Sequence, residues 1–177
     1  ARIQGAGVIE VPLLRDGFAL DLPAVLEAGR RARIVFLCSP NNPTGNLLDE
    51  RAILSICSAL ASHALVCVDE AYIEFSNRAS LTSRLGELPN LVVLRTLSKA
   101  YALAGARCGT LIAGEEIVDL LRRIIPPYAI PSSTVEEVLR LTEAPQRAIS
   151  AERIRTGLAE RSCMRSRLEA SRAGVRV

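Results

Sequence analysis

Aromatic rings and histidines are scarce in this chain. It has no tryptophan, three tyrosines and three phenylalanines among 177 residues, so aromatics make up 3%. Few ring faces are available to stack on bases, and a formal charge of +3, spread along the chain, forms no basic stripe for a nucleic acid. His63 is the only histidine, which leaves metal sites and histidine-based triads with little to work with. Its position predicts a helix-to-strand turn with no catalytic role. The five cysteines (Cys38, Cys57, Cys67, Cys108, Cys163) contain no CxxC pair and no metal-ligand spacing. Four lie inside apolar runs, where cysteine behaves as a small buried hydrophobe. Free thiols fit a reducing cytoplasm. No apolar run approaches the ~18 residues of a membrane span, and no signal-peptide pattern is expected within these residues.

Lysine is as rare as histidine. Lys99 is the only one, and the other 21 of the 22 basic residues are arginines. Most exposed positions accept either cation, so this bias singles out one position. An amine loses its proton, attacks a carbonyl carbon and forms an imine; a guanidinium does none of these. Chance in an arginine-favouring genome explains the bias equally well, so the neighbouring residues decide.

With 49% hydrophobic residues, the chain is long enough for one substantial core. Four short apolar runs, 34–38, 64–68, 91–94 and 108–113, predict strands buried on both faces of a largely parallel sheet, and 8–11 predicts another. Helices are expected at 21–31 (Leu22, Val25, Leu26 on one side), at 49–61 after Asp49 as N-cap (Ile53, Ile56, Cys57, Leu60), and at 115–125. Ser133-Thr134-Val135-Glu136 has the form of a capping box and predicts a helix start. From about residue 145 an arginine-rich helix pattern follows, with nine Arg against four Glu over 140–177; interspersed signs point to a solvated, salt-bridged helix. The class is therefore α/β. The first residue is Ala1, and 173–177 has the pattern of a strand beginning, so an internal piece of a longer protein is expected.

Open α/β sheets bind ligands at the carboxyl ends of their strands, and three polar motifs stand at such ends. Ser39-Pro40-Asn41-Asn42-Pro43-Thr44-Gly45 is a loop stiffened by two prolines, fit to hold an Asn amide towards an oxygen anion or simply to make a turn. Asp69 emerges from the 64–68 run with Tyr72 three residues on. A carboxylate there needs a positive partner, a protonated ring nitrogen or an arginine, unless it caps a helix. Arg95-Thr96-Leu97-Ser98-Lys99, then Gly105 to Gly109 with Arg107 between, gather two hydroxyls, an amine and a guanidinium suited to a phosphate dianion. No GxxxxGK[ST] is present, so this is no nucleotide P-loop. Together these groups are the requirements of pyridoxal 5′-phosphate.

The three segments Ser39–Gly45, Asp69–Phe75 (DEAYIEF) and Thr96–Gly109 (TLSKAYALAGARCG) resemble the histidinol-phosphate aminotransferase branch of the fold-type I, pyridoxal-phosphate-dependent aminotransferases. That resemblance implies a three-layer α/β/α large domain, incomplete at both ends, over residues 1–144. It further implies a helix at 145–177 leading towards a truncated small domain. By the same resemblance, Lys99 links to the cofactor and then moves the substrate proton. Asp69 pairs with the pyridinium nitrogen, Asn42 and Tyr72 bond the phenolate oxygen, and Thr96, Ser98 and Arg107 hold the phosphate. Burial and Arg107 are expected to ease loss of the Lys99 proton. The implied reaction exchanges the amino group of histidinol phosphate with 2-oxoglutarate, giving glutamate, in histidine biosynthesis by a cytoplasmic homodimer. Alternatives on the same fold are an aromatic aminotransferase and a phosphothreonine decarboxylase; as a piece, the chain is expected to have little or no activity of its own. No metal, nucleic acid or membrane enters this reading.

Overall fold

The computed structural model describes residues 1–171. The strand expected at 173–177 lies outside the described residues. The chain forms two compact units. The first comprises 1–73, 78–96 and 109–127, and the second comprises 74–77, 97–108 and the chain from Tyr128 onwards.

The first unit is a four-stranded sheet in the order β1 (Ile34–Cys38), β2 (Leu65–Asp69), β3 (Leu91–Thr96), β4 (Gly109–Ala113). The first two pairings are parallel and the last is antiparallel. A largely parallel sheet is therefore correct, and β4 reverses because the chain returns from Thr96 to Gly109 through a loop, with no crossover helix. Helix α1 (Leu22–Gly29) precedes β1, α2 (Glu50–Leu60) connects β1 to β2, and both pack on one face of the sheet. Asp21 caps α1 by accepting from the Ala24 N–H at 3.1 Å, and Asp49 caps α2 by accepting from the Arg51 N–H at 3.0 Å, as expected of that residue.

Core formation follows the periodicities. Ile53, Ile56, Cys57 and Leu60 line the buried face of α2, against Leu37, Val66, Val68, Leu91 and Val93 from the sheet. Gly29 sits where a Cβ would come within 2.7 Å of Leu60 Cδ1, so α1 lies closely against α2 at that point. Asn90 ties the layers together. Its amide donates to the carbonyls of Cys57 and Ala64, each at 3.0 Å, where α2 gives way to β2. His63 occupies the same helix-to-strand turn, its Nε2 3.3 Å from the Gly29 carbonyl, in keeping with a structural role. Helix α3 (Glu115–Arg122) follows β4.

In the second unit, α4 spans Ser132–Leu141 and α5 spans Ala144–Ala170. Arg155–Glu152 and Arg165–Glu169 are ion pairs along α5, as the interspersed charges lead one to expect, while Arg161 donates to the Phe75 carbonyl at 2.8 Å.

Three local expectations fail. Strands β1 and β4 are not buried on both faces: Ile34 is 50%, Phe36 69% and Leu111 39% exposed, because among the described residues the helices of the core pack on the opposite face of the sheet. Residues 8–11 form no strand and are largely exposed; their apolar side chains find no neighbouring strand among the described residues. The capping box at Ser133 does not form either. Helix α4 starts a residue earlier, behind Pro131, and has no side-chain cap. Proline needs no N–H there, and its fixed φ suits the extended backbone before the first turn. No described helix is long and apolar enough to cross a membrane.

Candidate active site

Pairing register sets the site within the first unit. Cys38 stands beside Asp69, and Asp69 beside Leu94, so one row crosses the carboxyl ends of the three parallel strands. Asn42, Asp69, Tyr72 and Thr96 all lie at or just beyond this row. Alternation along a buried strand brings a polar residue to the end of the sheet only where the strand stops, which is why these groups collect at one edge.

The loop after β1 is tied down by its own side chains. Ser39 Oγ accepts from the Leu48 N–H at 3.1 Å, and Asn41 Nδ2 donates to Thr44 Oγ1 at 2.6 Å. The Thr44 hydroxyl donates to Asn46 Oδ1, and Asn46 Nδ2 donates to the Phe18 carbonyl at 2.8 Å. Gly45, with φ +74°, makes a turn that a side chain would strain. The peptides before Pro40 and Pro43 are cis. Asn41 and Asn46 are thus spent on the loop, while Asn42 stands exposed at its tip.

Two adjacent carboxylates close β2, and the structure separates their work. Asp69 is half-buried, and its Oδ1 accepts from the Ala71 N–H at 2.9 Å, which turns the chain towards Tyr72. Glu70 is 1% exposed. Its carboxylate accepts from Ser80 Oγ at 2.6 Å and from the Leu81 N–H at 2.8 Å, with Arg95 Nη1 3.8 Å away. The arginine partner considered for Asp69 therefore meets Glu70. Sequence reasoning gave Glu70 no role; the available signal was a second carboxylate directly after a buried strand, which pleating sends to the opposite face. At the neighbouring strand end, burial and the charge of Asp69 both raise the pKa of Cys38, burial being the larger cause, so its thiol stays neutral.

Ser98, Lys99 and Arg107 belong to the second unit, in the loop that joins β3 to β4. This loop closes on itself: the Leu97 N–H donates to the Cys108 carbonyl at 3.3 Å, the Leu103 N–H to Leu97 at 3.0 Å, and the Ala102 N–H to Lys99 at 3.1 Å. Ala102 and Arg107 adopt left-handed backbone, φ 56° and 51°, a conformation that side chains other than glycine adopt at a cost and that clusters at functional loops. Lys99 is exposed, so the expected burial of its side chain is absent, although Ala100 beside it is buried. The Arg107 guanidinium reaches back to the Ala104 carbonyl at 3.1 Å. Of the glycines expected to admit a phosphate, Gly109 serves the backbone: a Cβ there would lie 3.0 Å from the Arg95 carbonyl oxygen. Among the described residues no His, Cys, Asp and Glu cluster fits a metal ion.

The family model for aminotransferase class I and II matches residues 1–177. The chain belongs to this family. A histidinol-phosphate aminotransferase of Stenotrophomonas maltophilia is 46% identical over 165 residues, which cover 91% of this chain and 45% of that protein. The chain spans about half the length of the curated relatives it matches. Among solved structures, the Sinorhizobium meliloti histidinol-phosphate aminotransferase in complex with pyridoxal-5′-phosphate is 29% identical, with a TM-score of 0.68 over 88% of this chain and 40% of that one. A decarboxylase from Sulfurospirillum multivorans superposes with a TM-score of 0.79 over 94% of this chain and 50% of that one; at 24% identity it bears on the fold alone. The architecture is accordingly that of the fold-type I aminotransferases, a mixed α/β fold with a mostly parallel sheet.

Proposed function

We propose that the protein carrying this chain transfers the amino group of histidinol phosphate to 2-oxoglutarate with pyridoxal 5′-phosphate, in histidine biosynthesis. The observation that carries the proposal is the strand-end row. Asp69 closes β2, and Thr96 closes β3 immediately before the loop that holds the only lysine. The identity to curated histidinol-phosphate aminotransferases supports the choice of substrate.

The side chains suit the cofactor in charge and in hydrogen-bonding type. The half-buried carboxylate of Asp69 matches a protonated ring nitrogen, and the amide of Asn42 and phenol of Tyr72 match a phenolate oxygen. The hydroxyls of Thr96 and Ser98 and the guanidinium of Arg107 match a phosphate dianion. When bound, pyridoxal phosphate supplies an aldehyde for the substrate amine and a ring that accepts the electrons left on the substrate Cα. The chain supplies the rest. Asp69 holds a proton on the ring nitrogen, Asn42 and Tyr72 donate to the ring oxygen, and Lys99 Nζ takes the proton from the substrate Cα. Residues 1–144 form the cofactor-binding large domain in this reading, and α5 leads towards a smaller one. Two copies form the working dimer.

Reduction with borohydride in the presence of pyridoxal phosphate, followed by peptide mapping of the full-length protein, tests the assignment. One pyridoxyl group is expected on Lys99, and none after Lys99→Ala. Labelling elsewhere, with Lys99 untouched, sinks the reading. Glutamate formed from 2-oxoglutarate with histidinol phosphate separates it from a decarboxylase, which releases carbon dioxide, and from an aromatic aminotransferase, which prefers an aromatic amino acid.

A further inference from the structure

Helix α4 opens with three consecutive hydroxyl residues, Ser132, Ser133 and Thr134, yet none of them caps it. Thr134 is buried, 8% exposed, and its hydroxyl donates to the Ala106 carbonyl at 3.0 Å. A buried hydroxyl in the first turn of a helix usually serves that helix. Here it serves a carbonyl 28 residues earlier, in the peptide that links Ala106 to Arg107. Arg107 has left-handed backbone, so the orientation of this peptide sets the direction in which its side chain leaves the loop. The guanidinium itself is exposed and donates to the Ala104 carbonyl at 3.1 Å. The backbone before Arg107 is therefore held by a part-buried hydrogen bond, while its charged end lies at the surface.

We infer that Thr134 is a positioning residue for the phosphate grip: it fixes the Ala106–Arg107 peptide so that the Arg107 guanidinium meets the cofactor phosphate. This rests on the assignment of Arg107 to pyridoxal phosphate made above. The hydroxyl touches neither cofactor nor substrate and acts through Arg107. Valine at this position keeps the shape, removes the donor and leaves the Ala106 carbonyl unsatisfied, whereas serine keeps the donor.

The test compares pyridoxal phosphate with pyridoxal, which lacks only the phosphate, on the full-length protein. Dissociation constants are read from the absorption of the bound cofactor for wild type, Thr134→Val, Thr134→Ser and Arg107→Ala. Thr134→Val is expected to weaken pyridoxal phosphate about five- to tenfold and leave pyridoxal within about twofold; the loss corresponds to one hydrogen bond. Thr134→Ser is expected to restore binding, and the valine effect should vanish in the Arg107→Ala background. Equal weakening of both ligands, or a valine effect that persists without Arg107, reduces Thr134 to a packing residue and overturns the inference. Failure of the underlying assignment shows differently: wild type would then bind the two ligands alike, or not at Lys99, before any Thr134 variant is made.

Discussion

Removing the Glu70 carboxylate tests how this site edge is held. In Glu70→Ala, the buried Leu81 N–H loses its acceptor at 2.8 Å, the Ser80 hydroxyl loses one at 2.6 Å, and Arg95 loses a carboxylate 3.8 Å away. A buried donor left unpaired costs about 1–3 kcal/mol. Leu81 is buried and takes the full penalty, while Ser80 is half-exposed and recovers part of it from water. Breaking a buried charge pair from one side costs about 3–5 kcal/mol, but Arg95 has a side chain 23% exposed and the separation is long, so its share falls below that. The sum expected for Glu70→Ala is about 3–4 kcal/mol. Glu70→Gln keeps an acceptor for Leu81 but places an amide N–H where an oxygen accepted from Ser80 and faced Arg95; the Ser80 hydroxyl can turn to accept from it, so about 1–2 kcal/mol is expected. Denaturant unfolding of the full-length protein, with Ser80→Ala as the second arm of a double-mutant cycle, gives these values. The cycle should return a coupling of about 1–2 kcal/mol between Glu70 and Ser80. Equal costs for alanine and glutamine, or zero coupling, would refute the claim that directed hydrogen bonds to the carboxylate, rather than bulk, pin Leu81 to the end of β2.

Burial pushes the Cys57 thiol up from 9.0 to about 11. Its folded pKa is raised, so its contribution is complete below pH 9 and is lost as pH rises through about 11, amounting to about 2–3 kcal/mol. Stability measured between pH 8 and 11 should therefore fall with a slope that Cys57→Ala reduces. In timed alkylation of the native protein, exposed Cys163 should label first and buried Cys57 and Cys67 last. Asn90→Asp replaces an amide that donates to two carbonyls with oxygens that repel them; a loss of about 2–4 kcal/mol at neutral pH is expected, shrinking as pH falls from neutral towards about 4, because burial and the facing carbonyls raise the folded pKa of the new carboxyl above its unfolded value. A penalty that does not change with pH would rule out the electrostatic cause.

The sequence by itself determined the four strands of the sheet, most of the helices and the residues proposed for the site. Apolar runs of four to six residues, punctuated by amphipathic segments, specify the strands and the helices between them, because burial of a face demands its own periodicity. Local wording at three strand ends, with a single lysine, carried the proposal of pyridoxal-phosphate chemistry, because such chemistry needs particular functional groups at particular chain positions. Tertiary structure decided where each polar group spends its hydrogen bonds. Asp69 and Glu70 look alike in the sequence, yet pleating leaves one half-buried at the sheet edge, bonded to the Ala71 N–H, and sends the other into a buried network with Ser80, Leu81 and Arg95. Ser133 reads as a helix cap and is none, while Thr134, one residue on, is drawn away from its own helix by a carbonyl 28 residues distant. The apolar pattern of 8–11 had no strand beside it to pair with, and β4 ran antiparallel because its connection is a loop. Propensity acts over neighbouring residues, whereas a hydrogen-bond partner is chosen among all groups that folding brings within about 3 Å, and that choice is made only in three dimensions.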